Sequence, residues 1–296
     1  MKLSVSMITF QGAAYLKAQM DSILGQSIPV HEIIVCDDAS TDGTREILVS
    51  YAADYPHIQL HFNEKNLGTV ANMQQCLRKS TGDIIFLADQ DDVWLPSKVE
   101  KTLSFFQENP HADAVFSNAD IIDGEGKTQE DMSLWDIIGF PYDQIELGDF
   151  QRRVDNVVTG AGLAFKRDSA LIDTDIPQMP GLLHDGWIGL YFAAKNTLKA
   201  NPEKLFHYRS HANQQVGGKT KERQALLDFN LALYDGVPVM KDFATWKASM
   251  KRLYTNLDLP YMNKAEIQEQ IDLYAEYGKT YFQLRASLFL FIKAIR

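Results

Sequence analysis

The feature that most constrains this chain is a run of five apolar residues, Ile84-Ile85-Phe86-Leu87-Ala88, that ends directly in Asp89-Gln90-Asp91-Asp92. So short an apolar run predicts a buried strand, and its carboxyl end opens onto the acids. Three like charges within four positions repel one another once partly desolvated, so they require a nearby cation or full solvation. Hard divalent ions such as Mg²⁺ and Mn²⁺ take oxygen ligands from one or two carboxylates and complete their shell with phosphate oxygens. The stretch therefore points to a nucleotide-handling site. A calcium loop would place Asp89, Asp91 and Glu100 at positions one, three and twelve, but its obligatory glycine at position six is Trp94. The other alternative is a solvated acidic turn.

The same arrangement recurs upstream. Residues 3–9 predict a strand, after which Gln11-Gly12 breaks into a helical pattern through Tyr15, Leu16, Met20, Ile23 and Leu24. Residues 32–36 predict a second strand, ending in Asp37-Asp38. Ser40 or Thr41 is the expected N-cap of the next helix, with Asp42 and Glu46 at its positive end. Residues 58–62 predict a third strand, and Asn66-Leu67-Gly68-Thr69 starts a helix running to about Lys79. Strands alternating with helices predict an α/β fold, a mostly parallel sheet with right-handed crossovers. Ligands bind such sheets at the strands' carboxyl ends. Polar clusters fall there four times, at residues 9–11, 37–38, 63–66 and 89–92, which counts against a solvated turn.

Beyond Asp92, Pro96-Ser97 opens a helix to about Asn109, residues 112–122 predict a strand, and residues 123–126 a hairpin-type turn. Residues 128–149 have weak periodicity and predict an irregular loop of the kind that serves as a lid. Thr159-Gly160-Ala161-Gly162 precedes a short strand, and its small residues allow a ligand close to the backbone. His184-Asp185-Gly186-Trp187 precedes a helix over residues 188–194, and residues 204–208 predict another strand. From Lys219 onward the pattern is helical. The expected division is a domain over residues 1–216 and a helical region over 217–296.

Composition narrows the function. With 45% hydrophobic and 23% charged residues the chain is an ordinary globular protein, and a formal net charge of −10 opposes nucleic-acid binding. Residues 240–296 differ, holding 9 Lys/Arg against 6 Asp/Glu, whereas residues 1–239 hold 20 against 33. Apolar residues Tyr281, Phe282, Leu284, Leu288, Phe289, Phe291, Ile292 and Ile295 lie there among Lys279, Arg285, Lys293 and Arg296. That pattern suits an interfacial membrane helix, a homodimer contact, or packing on the chain's own domain. Cys36 and Cys76 imply no disulfide framework, and no apolar run is long enough to cross a bilayer, so a cytoplasmic protein is expected, at most peripheral to the membrane.

Taken together, the chain resembles the family-two glycosyltransferases with the GT-A fold. The matching motifs are the first strand into Thr9-Phe10-Gln11, "CDDASTDGT" at 36–44, "NLG" at 66–68, "DQDD" at 89–92, "TGAG" at 159–162, "HDGW" at 184–187 and "YRSH" at 208–211. "DQDDVWLPSKVE" looks most like the bacterial rhamnosyltransferase branch. The resemblance implies that Asp38 accepts a hydrogen bond from N3 of a pyrimidine base, with Thr9 and Gln11 lining that pocket, Asp37 supporting it and Asn66 on the nucleotide side. It implies that Asp89 meets the ribose or sugar and that Asp91, Asp92 and His211 are the candidate ligands of Mn²⁺ or Mg²⁺. Many relatives have an acidic pair where this chain has His184-Asp185, so Asp185 alone can be the catalytic base. Gly160, His184 and Trp187 would then face the sugar or the acceptor, with Trp187 either stacking on a sugar or serving as core.

The chemistry implied is an inverting transfer. A carboxylate takes the acceptor hydroxyl's proton while the hydroxyl attacks the anomeric carbon and a nucleoside diphosphate leaves. The expected donor is dTDP-rhamnose, with UDP-linked galactose, glucose or N-acetylhexosamine as alternatives, and the expected acceptor is a lipid-linked glycan of the cell surface. A sugar-phosphate nucleotidyltransferase would carry a Gly-rich, basic phosphate loop after its first strand, and residues 9–13 lack one. A catalytically dead sugar-nucleotide binder would be expected to lose Asp91, Asp185 or His211.

Overall fold

The computed structural model describes residues 1–144, 157–176 and 183–211. The expected helical region 217–296, its terminal amphipathic segment and residues 145–149 of the 128–149 stretch lie outside them. In chain order the elements are β1 (Leu3–Thr9), α1 (Leu16–Leu24), β2 (Glu32–Asp37), α2 (Thr44–Asp54), β3 (Ile58–Phe62), α3 (Thr69–Lys79) and β4 (Ile84–Ala88). There follow β5 (Val93–Trp94), α4 (Lys98–Glu108), β6 (Ala114–Ile122), β7 (Thr128–Ser133), α5 (Leu134–Ile137), a 3-10 turn (Gly160–Gly162), β8 (Leu163–Lys166), α6 (Ser169–Asp173), α7 (His184–Ala194) and β9 (Leu198–Arg209).

The strands form one sheet in the order β3-β2-β1-β4-β8-β6-β9-β5, with β7 paired to β6. The first half is parallel as expected: β1 lies between β2 and β4, with Val5 opposite both Ile33 and Phe86. Every residue of β2 and β4 is buried, which explains why β4 reads as a continuous apolar run. Each fully buried Ile, Leu or Phe there contributes roughly 1.5–3 kcal/mol. Beyond β4 the sheet turns antiparallel, through β4–β8, β6–β8 and β5–β9. The chain forms two compact units, one comprising Met1–Leu134, Val158–Ile188 and Lys199–Gln215, the other Trp135–Val157, Gly189–Leu198 and Val216–Arg296.

Three local expectations need correcting. Neither Ser40 nor Thr41 caps α2, whose N-cap is Gly43 at φ 97. Ser40 instead hydrogen-bonds Asp37, and the capping acceptor is Asp42, whose Oδ1 takes the Thr44 amide at 3.1 Å. Residues 128–133 are not irregular but form β7, which continues the β6 hairpin; a register shift at Asp120/Ile121 blurs the alternation. Helix α7 begins at His184 rather than after Trp187, so Asp185 lies in its first turn, where the helix dipole favours an acid.

Candidate active site

All the candidate residues belong to the first unit, at the carboxyl ends of the parallel strands and on the turns that face them. On the β1–β2 side, Asp37 is fully buried and accepts from the Thr9 hydroxyl at 2.9 Å, the Ser40 amide at 3.0 Å and Arg45 Nε at 2.7 Å. Thr9, 2% exposed, is therefore engaged with Asp37 rather than open to a pocket. Asp38 accepts from Asn63 Nδ2 and the Leu67 amide on one oxygen and from the Gly68 amide on the other, all within 2.9 Å. An ionised carboxylate has about four acceptor directions, so one remains. Asn66 shapes the same loop by accepting the Gly68 amide. Gln11 adopts φ 51 and takes the Thr41 amide on its side-chain oxygen at 2.8 Å. The amide of Gln90 both accepts from Phe10 N and donates to Phe10 O, pinning the β1 loop to the β4 loop. A side chain at Gly12 would collide with Gln90 Oε1, the added Cβ lying 2.1 Å away.

The three acids after β4 separate. Asp91 Oδ2 lies 2.9 Å from His211 Nε2, and the Tyr15 ring sits 4.7 Å from the imidazole. Asp92 is 1% exposed; its Oδ1 accepts the Arg209 amide at 2.9 Å, and its Oδ2 has no partner among the described residues. Asp92 is thus buried against the Arg209 backbone, whereas Asp91 is the acid that meets His211. Asp89 is partly covered, and burial, with Asp91 adding to it, pushes its carboxyl up to about 6. Among the described residues no group of three or more Asp, Glu, His or Cys side chains comes together as a metal site. Asp91 and His211 alone supply a carboxylate oxygen and an imidazole nitrogen side by side, a donor set that Mn²⁺ or Mg²⁺ accepts when substrate phosphates complete the shell.

The third face is the Gly160–Gly162 turn packed on the start of α7. The Gly160 amide donates to Asp185 Oδ2 at 3.1 Å, and Asp185 Oδ1 takes the Gly186 amide at 2.6 Å. A Cβ on Gly160 would lie 3.1 Å from His184 Nε2 and 3.8 Å from Asp89 Oδ2, so glycine here lets the turn, His184 and Asp89 meet. His184 is 4% exposed, neither ring nitrogen has a partner among the described residues, and burial lowers its basicity while Asp89 opposes that shift. Trp187 is 5% exposed, so of its two readings the ring takes the packing one. Arg209, absent from the expected site, is the residue that joins its parts. Its amide holds Asp92, its Nε donates to Asp91 O at 2.7 Å, its NH1 donates to Asp123 O at 3.0 Å, and its guanidinium lies 4.8 Å from the Tyr15 ring. The available signal was a basic residue two positions before His211 within "YRSH".

Residues 4–170 match the profile of Glycosyl transferase family 2, more than half of the chain, and the protein belongs to that family. It is similar to the EpsE protein of Bacillus subtilis, named as a glycosyltransferase, with 38% identity over 126 residues, 42% of this chain and 45% of EpsE. TuaG of the same organism, named for teichuronic acid biosynthesis, is 37% identical over 106 residues, 35% of this chain and 42% of TuaG. These matches thus span less than half the length of either relative. Among solved structures, residues 1–349 of S. aureus TarS in complex with UDP align at a TM-score of 0.55 and 15% identity, over 94% of this chain and 71% of that one. The mannosyltransferase PcManGT of Pyrobaculum calidifontis, in complex with GDP-Man and Mn²⁺, aligns at 0.52 and 17%, over 99% and 86%. These likenesses establish the GT-A fold.

Proposed function

We propose that the protein is an inverting glycosyltransferase that moves a hexosyl unit from a pyrimidine nucleoside diphosphate to a hydroxyl of a growing bacterial cell-surface glycan. The observation that carries this reading is the convergence of Asp185, the Gly160 amide, His184 and Asp89 at one place in the first unit. Asp185, oriented by the Gly160 and Gly186 amides, takes the proton of the acceptor hydroxyl as that oxygen bonds to the anomeric carbon. The electron pair of the breaking bond goes to the diphosphate, and attack opposite the leaving group inverts the centre. His184 hydrogen-bonds the sugar, which would give its buried ring nitrogens a partner. Asp91 and His211 would hold a divalent ion, whose chemistry is to neutralise the leaving diphosphate. The remaining acceptor direction of Asp38 suits a base that offers N3–H, uracil or thymine rather than cytosine.

The names of EpsE, TuaG and TarS's ligand support the class, and "DQDDVWLPSKVE" favours dTDP-rhamnose over UDP-sugars. Residues 217–296 serve the acceptor, a second copy or the membrane surface. A nucleotide-release and thermal-shift panel over dTDP-rhamnose, UDP-glucose, UDP-galactose and UDP-N-acetylglucosamine with Mn²⁺ tests the proposal. The expected result is fastest release and strongest stabilisation with dTDP-rhamnose, both lost in EDTA. A UDP-sugar that outperforms it would replace the donor, and no release from any donor would overturn the transfer reading.

A further inference from the structure

Lys98 opens α4, yet it is 1% exposed and ranks among the largest fully buried side chains. A lysine is seldom placed so, because an ammonium removed from water must find compensating partners. Its Nζ donates to the carbonyl oxygen of Ala161 and lies 4.4 Å from the ring centres of both Trp94 and Phe206. Burial brings its ammonium down to about 7 while Asp92 and Asp89 hold it up. Ala161 is the middle residue of the Gly160–Gly162 turn, whose Gly160 amide orients Asp185. The same turn rests on Phe206: a Cβ at Gly162 would lie 3.2 Å from Phe206 Cε1 and 2.9 Å from Ser117 O. Lys98, Phe206 and the turn are thus packed as one block.

We infer that Lys98 is a positioning residue for the transfer reaction: by anchoring the Ala161 carbonyl it fixes the turn whose neighbouring Gly160 amide aims Asp185. The inference rests on Asp185 being the base. Cutting the anchor loosens the aim of one oxygen, so it slows the step that uses Asp185 and leaves the nucleotide side, built from the β1, β2 and 63–68 loops, untouched.

A double-mutant cycle on the full chain tests it, with Lys98→Met and Asp185→Asn made singly and together. Nucleotide release with donor and acceptor is read for each, beside the Kd of the nucleoside diphosphate. Lys98→Met keeps the aliphatic bulk and loses the charge and donor. It is expected to lower kcat roughly 10- to 100-fold with nucleotide Kd within about three-fold, and to cost less than about three-fold more in the Asp185→Asn background, because residues acting as a unit are not additive. Equal cost in both backgrounds, or no cost in either, overturns the assignment to Lys98 while leaving Asp185 as base. Full turnover by Asp185→Asn alone overturns the base and the positioning role together. Should Lys98→Met fail to bind nucleotide or melt early, Lys98→Arg carries the same cycle, since it keeps a charge and a donor but displaces the anchor point.

Discussion

Asp89, Asp91 and Asp92 sit within four positions and meet three different environments. Asp91 pairs with His211, Asp92 turns onto the Arg209 amide, and Asp89 faces Gly160 and His184. The sequence announced the crowding but not its partition, because the partners come from the end of β9, from His211 just beyond it, from the 160–162 turn and from the start of α7, more than seventy positions away. Gly160 was legible only as a small residue. What requires it is the 3.1 Å between a would-be Cβ and His184 Nε2, a distance no local pattern encodes. Gly160→Ala is expected to displace the His184 imidazole by a few tenths of an ångström. Misplacement on that scale should lower kcat roughly ten-fold. Stability should fall by less than about 1 kcal/mol, since the φ of Gly160 is not in the left-handed region. Steady-state kinetics beside thermal melting checks this, and unchanged kcat would show that the meeting of turn and helix does not matter.

At the scale of elements, the parallel half was readable because its strands are short and largely apolar, and β1, β2 and β3 are each followed by a helix. In the antiparallel half β6, β8 and part of β9 were readable as strands, but β5, β7 and the pairing between strands were not. β5 is two residues long, β7 carries a register shift, and β9 pairs across more than a hundred positions with β5. The parallel strands also share an anchor at their opposite end. Glu32, at the start of β2 and 3% exposed, accepts from the Lys2 ammonium at 3.0 Å, the Thr81 amide at 2.6 Å and the Ser4 hydroxyl. Burial alone would raise this carboxyl, but the donors from Ser4, Thr81 and Lys2 outweigh it and bring it down to about 2. A carboxyl depressed in the folded state stabilises the fold above its unfolded value of 4.5, and that stabilisation is lost as the pH falls from there towards 2. The shift corresponds to about 3 kcal/mol. Glu32→Gln should therefore lower the free energy of unfolding by about that amount at pH 7, with the gap to wild type narrowing steadily below pH 4.5 in urea titrations. A gap that stays constant down to pH 3 would contradict the linkage.

At the scale of the whole molecule, chemistry and scaffold divide cleanly along the first unit: a buried parallel sheet supplies rigid strand ends, and turns from the antiparallel half close over them. The proposed roles of Asp38, Asp91 and His211 serve the donor, whereas those of Gly160, His184 and Asp185 serve the reacting carbon. A variant that damages one set should spare the other. The acidic balance of residues 1–239 suits the proposed capture of an anionic donor through a cation rather than through a basic surface. Everything converges on Asp185, whose carboxylate is fixed by two amides beside the place where Asp89 and His184 meet. The measurement that bears most directly on it is nucleoside diphosphate release by Asp185→Asn, set against that variant's affinity for the donor. A base contributes roughly 10²- to 10⁴-fold, so turnover should fall by about that factor while donor Kd stays within about three-fold. A variant that keeps more than about a tenth of wild-type turnover would contradict the account.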